Sequence, residues 1–501
     1  MPDYGLGSWP ARRARIGPAA VALRQGAREV SYAELATRVS RLAAALAERG
    51  VGHGDRVAYL GPNDIATFEV FFATARLGAI FVPFNIRLSA PEIAVLVADA
   101  QPTVLVYGPE LAQLVADVDP AAHGVGTVVS LAGAGEGSYL GLYTDAPCSR
   151  PTTDVALSDD AVILYTSGTT GRPKGAVLTH ANLTFNTMNQ LAHADVLSTD
   201  TALCISPLFH ATGLGQVSLP TMFKGGTVVV VPKFDPSTVL GLIARLRIAS
   251  FSAVPTMLQI LCDHEDFAGT DLGTLRYVIY GGSAIAERVA VAWQRRGVHI
   301  QQGYGMTEAS PGVYLAPAAG AAQRPVSIGV PHFFTDVTFD PSVDEPLPGT
   351  SGELLVRGPN VFRGYWQRPA DTENAFTGGW YRSGDVIRVD EDGWAYVIDR
   401  TTDLIISGGE NIYPSEVEEA ISALPGVLDC ALIGVPDERW GEVGAAFVVS
   451  SAADAWSEES LRAALSRTIA GFKIPKYVHF VDELPRTATG KVRKQELRKL
   501  D

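Results

Sequence analysis

The sequence predicts an α/β protein. It reads as a large N-terminal domain of two doubly wound α/β layers plus a β-barrel-like module, followed by a small α+β C-terminal domain. Three observations predict this. Short β-branched runs alternate with helical stretches between about residues 31 and 305, the pattern of βαβ units and a mainly parallel sheet. From about Val326 the turn signals crowd together, as in antiparallel sheet. After Arg400 the pattern contracts to a few helices and strands. A chain of 501 residues, 47% apolar and 19% charged, accommodates about three such units with large cores.

The first element is the helix in SYAELATRVSRLAAALAERG. Ser31 and Glu34 read as a capping box, Gly50 as the stop, and Leu35, Val39, Leu42 and Leu46 share one face at helical spacing. RVAYLGP, TFEVFFATARLG, AIFVPFN, APEIAVLVADA and TVLVYG then alternate strand and helix as the first layer. AVILYTSG, ALCISP, TVVVVP, IASFSAVP, LRYVIYGG and VHIQQGYG supply the second, each brief and bounded by Gly, Pro or Ser. GELLVRGP, WYRSGDVIRVD, GWAYVIDR and LIISGGE form the antiparallel module, placed at about residues 326–399. Beyond it, PSEVEEAISALPGV and SEESLRAALSRTIAG are helices, and DCALIGVPD and GAAFVVS are strands. The domains expected are therefore 1–399 and 400–501, with the boundary near residues 399–403. APAAGAAQRP and PSVDEPLPGT read as surface loops.

Composition narrows the function. With 40 basic and 54 acidic residues the net charge is −14, which argues against broad binding to nucleic acid or anionic lipid. Cys148, Cys204, Cys262 and Cys430 are scattered, with no C-x-x-C pair, so they read as free thiols in a reducing compartment and not as a zinc site or disulfide framework. The start, MPDYGLGSWPARRAR, lacks the apolar core of a secretion signal. The most apolar long window, FEVFFATARLGAIFVPFNI, is interrupted by Glu69, Arg76 and Pro83 and does not read as a membrane span. A cytoplasmic protein is expected.

The segment richest in chemistry is YTSGTTGRPKG, following the strand AVILY. Its glycines Gly168, Gly171 and Gly175 permit positive φ and close approach of backbone N–H groups to an anion. Thr166, Ser167, Thr169 and Thr170 add hydroxyls and Lys174 adds a charge, a combination suited to a polyphosphate. It is not a Walker A loop, because Pro173 precedes the lysine and Gly175 follows it. As a lone glycine triplet it would be an ordinary surface loop; the four hydroxyls and the lysine turn the balance.

TSGTTGRPKG resembles the phosphate loop of the adenylate-forming superfamily, which includes acyl-CoA synthetases, luciferases and peptide-synthetase adenylation domains. PLFHATG, YGGSA, QGYGMTE, GWYRSGD, DRTTDLIISGGENIYP and PRTATGKVRK match further segments of that family in order, so the resemblance spans nearly the whole chain. Within the family it looks most like bacterial fatty-acyl-CoA ligases. The resemblance implies two half-reactions: a carboxylate attacks the α-phosphate of ATP, giving acyl-adenylate and pyrophosphate, and the coenzyme A thiol then displaces AMP. It implies that Lys491 is the catalytic lysine, that Glu308 holds Mg²⁺, that Thr307 contacts the α-phosphate and that Tyr304 stacks on adenine. Gly281, Gly282, Ser283, Gly303 and Gly305 would line the nucleotide and acyl channel, and Asp385 and Arg400 would hold the ribose. The C-terminal domain would be mobile, turning between a face that presents Lys491 and one that presents Ser407, Gly408 and Gly409 to the pantetheine arm. The family's hinge residue is usually Asp or Lys; here it is Thr402. His210 in PLFHATG would border the acyl site. Trp440 reads as packing.

The family builds its acyl pocket from segments matching 207–216, 280–285 and 304–313. They contain no Arg or Lys here, so a dicarboxylate such as malonate would leave a buried charge unpaired. Asp235 lies in a family-like position, but its neighbourhood does not read as an amino-acid code. A monocarboxylic acid is expected, aliphatic first and aryl second. Alternatives are an adenylating enzyme that loads a separate carrier protein and a nucleotide-binding scaffold without catalysis. Weak membrane contact would suit a lipid substrate, though no basic amphipathic helix stands out. Monomer and homodimer are both open.

Overall fold

The computed structural model describes residues 4–133, 138–144, 154–166, 173–282, 285–321, 323–324, 326–343, 346, 348–400, 405–407, 410–412, 414–437, 440–451, 456–469, 471–487 and 491–499. Contacts group the chain into two compact units, residues 1–336 with 356–381, and residues 337–355 with 382–501. The boundary expected near residues 399–403 falls mostly on residues 401–404, which include Thr402 and lie outside the described residues.

Two mixed sheets organise the first unit. One has seven strands in the order Gly364–Tyr365, Lys174–Thr179, Asp160–Thr166, Ile80–Pro83, Arg56–Leu60, Val104–Tyr107 and Thr127–Ser130. Its last five are parallel and its first two antiparallel. The other has nine strands, from Val330–Pro331 through Gly312–Leu315, Ile300–Gly305, Tyr277–Tyr280, Ser250–Ala253, Thr201–Cys204, Thr227–Val230 and Val21–Gln25 to Arg28–Ser31. Six neighbours at its centre are parallel, as expected for buried strands fed by crossover helices. The core follows these layers: Phe251, Trp293, Val278 and Leu258 pack in one cluster, and Ala58, Val82, Leu105 and Ile163 in another.

Two expectations need correction. AVILYTSG was assigned to the second layer, yet Asp160–Thr166 pairs with Ile80–Pro83 in the first-layer sheet. The reading also began at the helix after Ser31, whereas the hairpin Val21–Gln25/Arg28–Ser31 before it extends the nine-stranded sheet. The helix itself runs Tyr32–Glu48 with its four predicted apolar positions buried. Only half its predicted capping box forms: the Ser31 hydroxyl accepts from the Glu34 N–H, while the Glu34 carboxylate pairs with Arg38.

The antiparallel module after residue 326 is present as the strands Asp336–Thr338, Ser351–Arg357, Phe376–Thr377, Trp380–Val389 and Ala395–Arg400. Ile405–Ser407, expected within it, belongs instead to a second-unit sheet ordered Glu410–Ile412, Ile405–Ser407, Gly441–Ser450 and Val427–Asp437, with Tyr477–Phe480 parallel to Gly441–Ser450. The helices Pro414–Ser422 and Glu458–Leu465 cover a core of Val417, Ile421, Leu461 and Leu465. Trp440, expected to pack, is 46% exposed. Asp235 caps the helix Pro236–Leu246 by accepting from the Thr238 N–H at 2.8 Å, a structural use. Cys204, Cys262 and Cys430 are unpaired, and Cys148 lies outside the described residues. Among the described residues no helix is long and apolar enough to cross a membrane.

Candidate active site

The glycine-rich segment joins the two antiparallel strands Asp160–Thr166 and Lys174–Thr179, with Thr166 opposite Lys174 in register. The Thr166 hydroxyl donates to the Lys174 carbonyl at 3.4 Å. Ser167, Gly168, Thr169, Thr170 and Gly171 lie outside the described residues. The base of the hairpin is fixed by Asp99: its carboxylate accepts from the Tyr165 hydroxyl at 2.7 Å and from Arg368 at 2.9 Å, and its carbonyl from the Trp366 indole. Lys174 Nζ lies 2.9 Å from Asp371 Oδ1 and over the Tyr365 ring. Asp371 is partly exposed, so the pair is worth about 0–1 kcal/mol and would yield readily to a polyphosphate.

Beside it, the short turn Thr307–Ala309 holds Glu308, 8% exposed. Its carbonyl accepts from the Phe362 N–H at 2.7 Å and its carboxylate from the Tyr365 hydroxyl at 2.9 Å. Burial, with the Glu308 charge adding, pushes the Tyr365 and Tyr381 phenols far above their usual range. Sequence reasoning missed Tyr365, Tyr381 and Asp371. The aromatic-rich VFRGYW segment was the available signal for Tyr365, and GWYRSGD that for Tyr381. No cluster of three or more metal-ligating side chains occurs among the described residues. One buried carboxylate nevertheless fits Mg²⁺, which commonly takes one or two carboxylates and completes its shell with phosphate oxygens and water.

Three sequence segments predicted to form the acyl pocket do converge. One narrow cavity is lined by Thr212 and Gln216, by Gly281 and Gly282, and by residues 303–305 and 311–312. Two of the glycines are needed there. A Cβ on Gly281 would lie 2.8 Å from the Gly303 carbonyl oxygen, and one on Gly305 would collide with the Pro311 carbonyl, whereas one on Gly303 would meet the flexible amide of Gln216 at 2.8 Å. Gly282 has φ +93°. Tyr304 is half-buried, its ring edge-on to Tyr314 at 6.0 Å. Ser283 lies outside the described residues. The cavity also takes in Gln190, Tyr314, Leu315 and His332, which the sequence reading did not select.

The helix His180–His193 frames this cavity from behind. Asn182 Nδ2 donates to the Pro359 and Val361 carbonyls, Asn186 bridges the Gly215 carbonyl and the Gly312 N–H, and Asn189 bridges the Thr335 hydroxyl and the Phe334 N–H. A buried face of amides at helical spacing is the signal that could have marked it. His210 does not line the cavity; its ring packs against Phe209 at 4.7 Å. Desolvation, with Arg87 adding, lowers its imidazole to about 4. His180, whose Nδ1 accepts from the Leu6 N–H, is likewise lowered to about 4 by burial, and His332 to about 3.

These folded-state values lie below the ordinary value of 6.5, so between pH 6.5 and about 4 the unfolded chain binds more protons than the native one. Stability therefore falls as pH falls through that window. The urea midpoint is expected to drop steadily from pH 7 to pH 4.5. A flat midpoint over that range would contradict the burial of neutral imidazoles.

In the second unit, Asp385 is 5% exposed on Trp380–Val389 and stands opposite Arg400 in the antiparallel ladder; the Arg400 side chain lies outside the described residues. Ser407 is buried and ends its strand, while Gly408 and Gly409 lie outside the described residues. Lys491 is exposed, on a turn closed by Thr487: the Thr487 N–H donates to the Lys491 carbonyl at 2.7 Å and the Lys491 N–H to the Thr487 hydroxyl at 3.1 Å.

Residues 10–366 match the model of the AMP-binding enzyme family, and residues 416–491 match that of the AMP-binding enzyme C-terminal domain. The chain belongs to the AMP-binding enzyme family. This AMP-binding enzyme is 48% identical over 500 residues to a feruloyl-CoA synthase from an Amycolatopsis species, covering 100% of this chain and 99% of that one. It is 35% identical to a long-chain-fatty-acid–CoA ligase of Mycobacterium tuberculosis, covering 97% and 96%. The crystal structure of ATP-bound MatB from Rhodopseudomonas palustris superposes with a TM-score of 0.91 at 34% identity, covering 100% of this chain and 99% of that one. With family and full-length relatives in agreement, this AMP-binding enzyme is an AMP-forming acid–CoA ligase.

Proposed function

We propose that this ligase activates an aryl monocarboxylic acid with ATP and Mg²⁺ and transfers the acyl group to coenzyme A. The observation that carries the proposal is 48% identity, over the whole chain, to a protein named for an aryl acid, against 35% to one named for a fatty acid. The aliphatic acid ranked first on sequence alone is therefore less well supported than the aryl alternative. Cavity walls without Arg or Lys agree with a monocarboxylate.

In the first half-reaction the loop from Thr166 to Lys174 holds the phosphates, and Thr307 donates to the α-phosphate. Asp385 and Arg400 accept and hold the ribose. Lys491 offsets the charge shared by the carboxylate and the α-phosphate as they meet. Glu308 would hold the magnesium ion, whose chemistry is to neutralise charge on the phosphate oxygens. In the second, the C-terminal part turns about Thr402, and Ser407, Gly408 and Gly409 pass the pantetheine arm close to backbone.

Incubation with ATP, coenzyme A and a panel of acids tests this. Coenzyme-A-dependent AMP release with ferulate-like acids is expected at a kcat/KM at least about tenfold above that for C8–C16 fatty acids, the scale on which apolar pockets discriminate. A preference for the fatty acids would overturn the aryl assignment, and adenylate formation without coenzyme A use would point to a carrier protein.

A further inference from the structure

The acyl cavity contains more polar chemistry than an aryl ring alone would need. Gln190, Gln216, Tyr314 and His332 all line it. They are 2%, 7%, 1% and 2% exposed. Yet Gln190 Oε1, Gln216 Oε1, Tyr314 Oη and His332 Nδ1 have no hydrogen-bond partner among the described residues. Buried polar atoms are nearly always paired, so four unpaired around one cavity call for an explanation. Gln190 makes the contrast within one helix. Asn182, Asn186 and Asn189 use their amides on neighbouring segments, whereas Gln190 Oε1 is left over.

These four groups share a further property: they are neutral. Burial raises the Tyr314 phenol far above its usual range and lowers His332 to about 3, with the neighbouring His193 ring, 4.6 Å away, adding to the effect and the Asn189 carbonyl opposing it. A neutral set that includes amide oxygens, an imidazole nitrogen and a phenol suits a ligand group that both donates and accepts one hydrogen bond without charge. A carboxylate or ammonium would find no counter-ion there. An alkyl chain or a bare phenyl ring would leave every one of these atoms unpaired. The free space between them is narrow, about 30 Å³, so a bound acid must part them. The two glutamines, with three rotatable bonds each, are the movable walls.

We propose that Gln190, Gln216, Tyr314 and His332 read a hydroxyl group on the aromatic ring of the acid. The substrate class is then hydroxyaryl acids, selected over their unsubstituted counterparts. This rests on the aryl reading above. The ring hydroxyl donates to an amide oxygen or to the imidazole nitrogen and accepts from Tyr314. They are specificity-determining residues and take no part in the adenylation chemistry.

The test compares two acids that differ only in the hydroxyl, 3-(4-hydroxyphenyl)acrylate and 3-phenylacrylate, by kcat/KM. The wild-type enzyme is expected to favour the hydroxylated acid by at least about 10²-fold, since sites built to bond a substrate hydroxyl reject the analogue lacking it strongly. In Gln190→Met and His332→Leu the ratio is expected to fall at least about tenfold, with the loss on the hydroxylated acid. The ratio is taken within each variant, so partial loss of folded enzyme cancels. If the wild type handled both acids alike, or if the ratio survived in both variants, the proposal would be overturned while the aryl reading stood. If the wild type preferred fatty acids to both, the aryl reading itself would fall, and this proposal with it.

Discussion

Replacing Lys491 by alanine is expected to slow acyl-adenylate formation by about 10²–10³-fold, the range lost when one preorganised charge-stabilising donor is removed from an enzyme site. Two anionic groups, the acid's carboxylate and the α-phosphate, must approach each other in this step, and without a cation their repulsion adds directly to the barrier. The side chain is exposed, and Lys491 is tied to Thr487 through its own backbone N–H and carbonyl, so truncating the side chain leaves both hydrogen bonds in place. Pyrophosphate exchange into ATP reads the first half-reaction alone. Thioester formation from chemically made acyl-adenylate reads the second, and it is expected to change by no more than a few-fold. A normal exchange rate would remove Lys491 from the chemistry and return it to the solvated basic tail it shares with Arg493, Lys494, Arg498 and Lys499.

Glu308→Gln is the second large effect. The amide keeps the shape of the carboxylate and still accepts from the Tyr365 hydroxyl, so the fold around the turn Thr307–Ala309 is retained. What disappears is the negative charge that would hold the metal. Adenylation is expected to fall by about 10²-fold or more, in line with the several kcal/mol a metal ion contributes to stabilising phosphoryl charge. The apparent magnesium requirement is expected to rise with it, while the thermal midpoint moves by only a few degrees. An unchanged magnesium dependence would contradict the assignment of Glu308 as metal ligand.

What could be read from sequence and what could not follows from the range of the interactions. The alternation of strands and helices is local, so the α/β architecture and the position of the phosphate loop after a strand were legible. Sheet membership is not local. Nothing in AVILY distinguishes a strand of one sheet from a strand of the other, because both are buried on two faces and equally apolar. The Thr307–Glu308 turn could be picked out because its motif is contiguous. Tyr365 and Asp371 could not, because they reach Glu308 and Lys174 across 57 and 197 residues of chain. Gln190, Tyr314 and His332 escaped notice for a different reason. Singly, an amide on a helix or a tyrosine in a strand has an ordinary packing use, and only the shared cavity and the missing partners set these apart.

The amides of the helix His180–His193 divide labour in a way that bears on how such an enzyme can change its diet. Exchanging Asn182, Asn186 or Asn189 would unseat a neighbouring segment, because each is fastened to main chain or a side chain elsewhere. No loop is fastened to the oxygen of Gln190, one position beyond Asn189, so it can be traded for another residue while the scaffold around it stays put. New acids can thus be tried out at that single helix position, without the architecture being renegotiated each time.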